Sequence, residues 1–103
     1  MRTASLVLAA AVLAACASTT LGQHAQLLAT YDAVAKQLID LRTHGFISDE
    51  EWGRAKVADR AFWAARGEFR EGRGTLAAIR AALSELVAIQ QKAKVSSDPR
   101  PRN

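Results

Sequence analysis

The chain has 103 residues, 50% of them hydrophobic, and a formal net charge of +4. This length allows one small domain, and a single cysteine excludes an internal disulfide. A core of this size is marginal without disulfides or metal, so stability must come from well-formed helices, packing or self-association. The basic excess lies near the C-terminus, where Lys92, Lys94, Arg100 and Arg102 accompany only one acid, Asp98.

The N-terminal segment has the layout of a secretory signal. Arg2 supplies a positive charge, an apolar stretch follows from Leu6, and small residues precede the cysteine. The sequence Leu13-Ala14-Ala15-Cys16 resembles the lipobox of bacterial lipoproteins. The resemblance implies that residues 1–15 are a cleaved signal peptide, that Cys16 carries lipid on its thiol and often on its new amine, and that residues 16–23 form a tether.

Two or three acyl chains would anchor such a protein stably, because each buried CH2 contributes about 0.8 kcal/mol. Ala17 and Ser18 stand where an Asp would signal retention in the inner membrane of enterobacteria. The expected location is therefore the periplasmic face of the outer membrane.

Other interpretations of the segment are less favoured. A spanning helix needs roughly 20 apolar residues, whereas the apolar run is interrupted from Ser18 to Gly22. A lone cysteine could also remain a free thiol or pair with another molecule. Neither alternative accounts for the residues around Cys16 as well as lipidation does.

Hydrophobic periodicity predicts three helices, the first over about residues 24–44. Its apolar side chains recur at three- and four-residue spacing, and Gly45 suits a left-handed C-terminal cap. The stripe comprises Leu27, Tyr31, Val34, Leu38 and Leu41.

A capping box predicts the start of the second helix, over about residues 49–71. Ser48 would accept a hydrogen bond from the Glu51 amide while the Glu51 carboxylate reaches back, and Ile47 and Trp52 hold the positions of a hydrophobic staple. Alanines alternate with aromatic rings on the predicted inner face, which favours interdigitated packing. That face comprises Ala55, Ala58, Phe62, Ala65 and Phe69.

The third helix is predicted over about residues 75–94, capped by Thr75 or Gly74. Residues 95–103 contain both prolines and very little to bury, which predicts a disordered basic tail. Short loops imply antiparallel neighbours, so we expect an all-α fold, a small antiparallel three-helix bundle in up-down-up order. Helical hairpins that complete their core by dimerising are the alternative. The inward stripe of the third helix comprises Leu76, Ile79, Leu83 and Leu86.

Few groups could support catalysis or bind metal. His24 and His44 lie near opposite ends of the first predicted helix, roughly 30 Å apart, and cannot share a metal ion. His44 follows Asp40 by four residues beside a helix C-terminus, which favours a solvated cation. Capping explains the acids after Ser48, and no histidine is spaced to activate that hydroxyl. We therefore expect neither enzymatic activity nor a metal, and no cofactor besides the covalent lipid on Cys16.

Trp63 is the best candidate for contact with a partner. It lies about 100° around the helix from the inward-facing Phe62, and Arg60, Arg66 and Arg70 are close to it in the sequence. Tryptophan and arginine are enriched in interface hot spots, so this face could receive another envelope protein. In the structural alternative, Trp63 covers the edge of the core and the arginine stems pack beside it.

Two hypotheses of different class follow. In the preferred one, the bundle is a non-enzymatic protein-interaction module tethered in the periplasm. In the other, it is a structural envelope component whose cations contact the cell wall or anionic lipid; these cations are Lys92, Lys94, Arg100 and Arg102.

Other partners are judged on the charge and size of the chain. Nucleic acid is not expected, because acids such as Asp59 and Glu71 dilute the basic patch of an exported protein. A homo-oligomer stays open, since the core is small. The general plan, a lipobox followed by an alanine-rich helical bundle, resembles small lipoproteins of Gram-negative bacteria and their prophages.

Overall fold

Three α-helices make up most of residues 19–98, the part of the chain that the computed structural model describes. Helix α1 spans Thr20–Thr43, α2 spans Asp49–Arg70 and α3 spans Leu76–Ser97. Gln23 and Gln37 of α1 bond to Arg80 and Gln90 of α3 in the same order along both helices, so α1 and α3 are parallel. Tyr31 and Arg42 of α1 bond to Asp59 and Asp49 of α2 in the reverse order, so α2 is antiparallel to both neighbours. The predicted all-α, up-down-up three-helix bundle is confirmed.

The helix bounds differ from the predictions at two ends. Helix α1 starts within the segment expected to be a tether, because the Thr19 side chain accepts a hydrogen bond from the Gly22 amide at 3.0 Å. Helix α3 continues to Ser97, into the expected tail. There the Ser96 and Ser97 hydroxyls donate to backbone carbonyls of the preceding turn, at 3.1 and 2.9 Å. The predicted signal peptide, Cys16, Arg100 and Arg102 lie outside the described residues.

Side-chain caps begin α2 and α3. The capping box is confirmed, since Ser48 Oγ accepts from the Glu51 amide at 3.1 Å and Glu51 Oε1 accepts from the Ser48 amide at 3.2 Å. Ile47 is buried, and Trp52 packs against the same apolar cluster, as the staple predicts. Thr75 caps α3 by accepting from the backbone amide three residues later.

The first two helices end in the same backbone motif. Gly45 has φ of +81°, its amide donates to the Arg42 carbonyl, and the Phe46 amide donates to the Leu41 carbonyl at 2.9 Å. Gly72, with φ of +79°, ends α2 with the equivalent pair of bonds. These are Schellman motifs, in which glycine takes the left-handed position and otherwise unpaired carbonyls gain partners.

Helix α3 is the centre of the core. It buries more side chains than either other helix, and its backbone approaches both α1 and α2 more closely than they approach each other. The predicted stripes face inward, and Phe62 and Ile79 have no exposed surface. Because α1 and α2 each pack on α3, a groove opens between them. None of the three helices is long and apolar enough to cross a membrane.

Candidate interaction surface

The predicted partner surface lies along the outer side of α2. Trp63 is 42% exposed, and the Arg66 guanidinium carbon lies 5.2 Å from the centre of the Trp63 ring. Arg60 and Arg70 are exposed. Among residues 19–98, no carboxylate lies within ion-pair distance of these three arginines. The structure therefore places the Trp63 ring against Arg66, on a helix whose Arg60 and Arg70 also lack a carboxylate partner among the described residues.

The Trp63 ring also covers the edge of the core. Its Nε1 donates to the Tyr31 hydroxyl at 2.9 Å, and it meets the rings of Tyr31 and Phe62 edge-on at centroid distances of 5.1 and 5.4 Å. The two interpretations of Trp63 are thus compatible, because one edge of the ring is held by α1 while much of its surface faces solvent.

Tyr31 connects this surface to α1. Its ring stacks on Phe62 at 4.4 Å, and its hydroxyl donates a hydrogen bond to the Asp59 carboxylate. Burial, and then the hydrogen bond to Asp59, raise the pKa of Tyr31 above its usual value. Because Tyr31 stays protonated, Asp59 is held by a neutral donor and points toward α1. This contact was not predicted from the sequence, in which Tyr31 is a member of the apolar stripe of α1.

The groove between α1 and α2 begins beside Tyr31. Its volume is about 270 Å³, and Leu38 and Leu86 lie in its lining together with Trp52. Ile39, also in the lining, is 58% exposed. Lys56 is the cation of this groove, and no described carboxylate pairs with it. Sequence reasoning did not find this site.

A second, shallower groove lies between α2 and α3, on another face of α2. It has a volume of about 790 Å³ and a lining of small side chains around Val57, which is 62% exposed. Its charged residues have both signs, with Arg54 beside Glu50 and Glu85. This groove was also not predicted, and it offers a comparison surface on the same helix.

Two of the cations proposed to bind wall or lipid, Lys92 and Lys94, lie within the described residues. Lys92 Nζ lies 3.4 Å from the Glu51 carboxylate, so it joins α3 to the start of α2. Lys94 is exposed and has no described carboxylate partner. The hydrogen bond from the Ser48 amide, followed by the Ser48 side chain and then Lys92, lowers the pKa of Glu51. Lys92 therefore has a carboxylate partner within the bundle, while its side chain remains 68% exposed.

The two histidines lie in different environments. His44 is exposed, with Nδ1 at 2.8 Å from the Asp40 carbonyl oxygen, as expected for a solvated residue at a helix end. His24 is 9% exposed and packs on Phe69 with ring centroids 4.9 Å apart. Its Nε2 is buried without a hydrogen-bond partner. No group of three or more histidine, cysteine or acidic side chains suitable for a metal ion occurs within residues 19–98.

Comparison with known proteins gives no match to a protein family, to a curated protein or to a solved structure. Function must therefore be inferred from the residues described above.

Proposed function

We propose that this protein is a lipoprotein of the bacterial envelope, anchored through Cys16, that acts as a non-enzymatic protein-interaction module. The observation that carries the proposal is the surface of α2, where Trp63 is fixed by Tyr31 and lies beside the unpaired Arg66. A fixed aromatic ring loses little side-chain entropy on binding. Arginines without internal partners can donate hydrogen bonds to a partner's carboxylate without first breaking an ion pair.

The anchor would define how this surface is presented. Cys16 precedes Thr20, the first residue of α1, by four positions, which span at most about 15 Å when extended. The start of α1 lies beside the end of α2, since His24 packs on Phe69. Arg70 would then lie close to the membrane, and Trp63 two helical turns farther out.

Lipidation is tested by labelling with a palmitate analogue and by membrane fractionation. The wild-type chain is expected to be labelled and to fractionate with the outer membrane, whereas Cys16→Ser should remain unprocessed or become soluble. Mass spectrometry that finds an unmodified Cys16 in the membrane-bound protein would reject the anchor.

The interaction surface is tested by crosslinking and capture from membranes. Combined Trp63→Ala and Arg70→Ala substitutions should weaken capture of a discrete partner by more than about 2 kcal/mol, as expected of a hot spot. Circular dichroism should stay nearly unchanged. Combined Arg54→Ala and Val57→Ala substitutions, on the other side of α2, are the matched control and should have little effect.

The structural-envelope alternative predicts the opposite pattern. If the cationic C-terminal end makes the contact, then deletion of residues 96–103 and added salt should both release the protein from wall or lipid, because exposed charges are screened by ions. The Trp63 variant would then behave like the parent.

A further inference from the structure

We propose that the groove between α1 and α2 binds an acidic amphipathic helix of a partner protein. The inference rests on the proposed interaction function and names the chemistry of the partner. The groove lies next to Trp63, because Asp59 in its lining precedes Trp63 by one helical turn. Trp63 itself is not among the lining residues.

The size of the groove suits apolar side chains on a helix. From Tyr31 to Ile39 the α1 wall extends about 12 Å, or roughly two helical turns. The volume of about 270 Å³ falls below the range of roughly 300–1,000 Å³ that is typical of small-molecule sites. A helix laid in such a groove inserts side chains at positions i, i+3 or i+4, and i+7. Leu38, Ile39 and Trp52 would receive these side chains.

The charges around the groove select an acidic partner. Lys56 in the lining and Arg60, one turn farther along α2, have no carboxylate partner among the described residues. Elsewhere on α1, Lys36 and Asp32 form an ion pair with each other at 3.0 Å. Asp59 accepts the Tyr31 hydroxyl. With two cations, Lys56 and Arg60, against the one carboxylate of Asp59, the α2 side of the rim has a formal net charge of +1, and glutamates or aspartates flanking an apolar stripe would complement it.

A second copy of the chain does not offer this chemistry. Each of the three helices buries its apolar stripe in the bundle, and the large apolar side chains that remain exposed on them do not recur at three- or four-residue spacing. These exposed side chains are Leu21, Ile39, Val57, Trp63 and Val95. The groove between α2 and α3 has two carboxylates, Glu50 and Glu85, against one cation, Arg54, so its charge does not favour an acidic partner. The occupant is accordingly a helix of another protein.

The test measures binding of a synthetic helical peptide to the full chain in phosphatidylcholine nanodiscs. The peptide has leucines at three- and four-residue spacing with glutamates on both flanks, and its control has lysines in place of the glutamates. Fluorescence anisotropy should show at least about tenfold tighter binding of the acidic peptide, with the preference decreasing as salt is added. Empty nanodiscs correct for binding to lipid.

Matched variants locate the binding site. Lys56→Glu should weaken binding of the acidic peptide at least about fivefold, and Arg54→Glu, the same charge change on another face of α2, less than about twofold. Likewise, Ile39→Ser should weaken binding and Val57→Ser should not, although both side chains are exposed. Circular dichroism of each variant confirms that the helices are retained.

Several results would overturn the proposal. These are no measurable binding of the acidic peptide, equal binding of the two peptides, equal effects of Lys56→Glu and Arg54→Glu, or a dimer of the chain that Ile39→Ser dissociates. The proposed function fails separately. An unlipidated Cys16 would remove the envelope anchor and leave peptide binding intact, whereas capture of a partner through Trp63 without peptide binding would reject only the groove.

Discussion

Trp63 Nε1 donates a hydrogen bond to the Tyr31 hydroxyl at 2.9 Å, and this contact joins the outer side of α2 to α1. Tyr31 in turn donates to Asp59, one turn before Trp63. A tryptophan in this position is held by the bundle and still offers 42% of its surface to solvent. The same residue can therefore stabilise the domain and present a rigid contact to a partner.

Tyr31→Phe tests the stabilising part of this relationship. The substitution keeps the ring stacked on Phe62 but removes the acceptor for Trp63 and the donor for Asp59. Because both groups can reach water, we expect a loss of about 1 kcal/mol in the free energy of unfolding. Urea titration of the full chain, followed by circular dichroism, measures this change; an unchanged midpoint would contradict the role given to the hydroxyl.

The raised pKa of Tyr31 predicts how this contribution depends on pH. The folded state holds the phenolic proton more tightly than the unfolded state, whose pKa is near 10.0. The stabilisation is fully present below that value and is lost as pH rises through the higher folded pKa. The difference in unfolding free energy between wild type and Tyr31→Phe should therefore shrink in alkali. Tyr31 is the only tyrosine, so phenolate absorbance reports its titration directly.

Ser48→Ala tests the capping box at the start of α2. The variant loses the acceptor for the Glu51 amide, and the expected cost is about 1 kcal/mol with the fold retained. Thr43→Ala is a suitable control, because that hydroxyl lies at a helix end but only donates to a carbonyl within its own helix. Thermal unfolding of the two variants should differ by several degrees.

Acid should reduce the benefit of the capping box. Hydrogen bonding from the Ser48 amide lowers the pKa of Glu51 below its usual value of 4.5. A carboxyl group whose pKa is lower in the folded state stabilises the fold above its unfolded pKa, and this stabilisation is lost as pH falls through the folded pKa. Wild type and Glu51→Ala, which lacks the carboxylate, should thus converge in stability as the pH falls below 4.5 and through the lower folded pKa. A constant difference down to lower pH would show that the carboxylate contributes nothing.

Much of the fold could be predicted because its signals are local. Three- and four-residue spacing identified the buried stripes, and Ser48, Thr75 and Gly45 marked helix ends through bonds to neighbouring residues. The start of α1 was placed too late, since the apolar stripe begins only at Leu27. Thr19, the residue that caps the helix, was assigned to the tether.

The site could be predicted only in part, because it depends on how helices pair. Spacing along α2 predicted that Trp63 lies near Arg66, and the structure shows that contact. The groove required knowledge of the distance between α1 and α2, which depends on how both pack on α3. The partners of Tyr31 and His24 are similarly distant in sequence and gave no local signal.

His24→Leu is expected to stabilise the protein. The buried Nε2 of His24 has no hydrogen-bond partner, whereas leucine would keep an apolar contact with Phe69 and has a higher helix propensity. The expected gain is about 1 kcal/mol, because an unsatisfied buried polar atom is removed. His44→Leu, at an exposed helix end, should give no comparable gain. A destabilised His24→Leu protein in urea titrations would mean that the imidazole has a role beyond packing.

Leu38 and its neighbour Ile39 provide a test of the core. Leu38 is 3% exposed and Ile39 is 58% exposed, so adjacent substitutions to Asp place the same charge in the core or at the surface. Leu38→Asp should cost several kcal/mol, more than so small a domain can lose, and cooperative unfolding should disappear. Leu83→Asp should behave in the same way. Ile39→Asp should still unfold cooperatively in calorimetry; a cooperative Leu38→Asp protein would contradict the bundle.

Gly74 is required by the turn between α2 and α3. A Cβ added there would lie 2.8 Å from the Phe69 backbone nitrogen and 3.1 Å from the Glu68 carbonyl carbon, and backbone atoms cannot rotate away as a side chain can. The Gly74 amide also donates to the Glu68 carbonyl at 3.1 Å, so a shift of the turn would strain that bond. We therefore expect Gly74→Ala to destabilise the protein by about 1–3 kcal/mol.

Gly67→Ala is the matched control for Gly74→Ala. Gly67 lies inside α2, and a Cβ there meets nothing within 4 Å. Alanine at this position should instead stabilise the helix, by about 0.5–1 kcal/mol, because glycine loses more backbone entropy on folding. Urea titrations of the two variants should therefore move in opposite directions from the parent. If both substitutions stabilise the protein, the close approach of Gly74 to the end of α2 does not exist in solution.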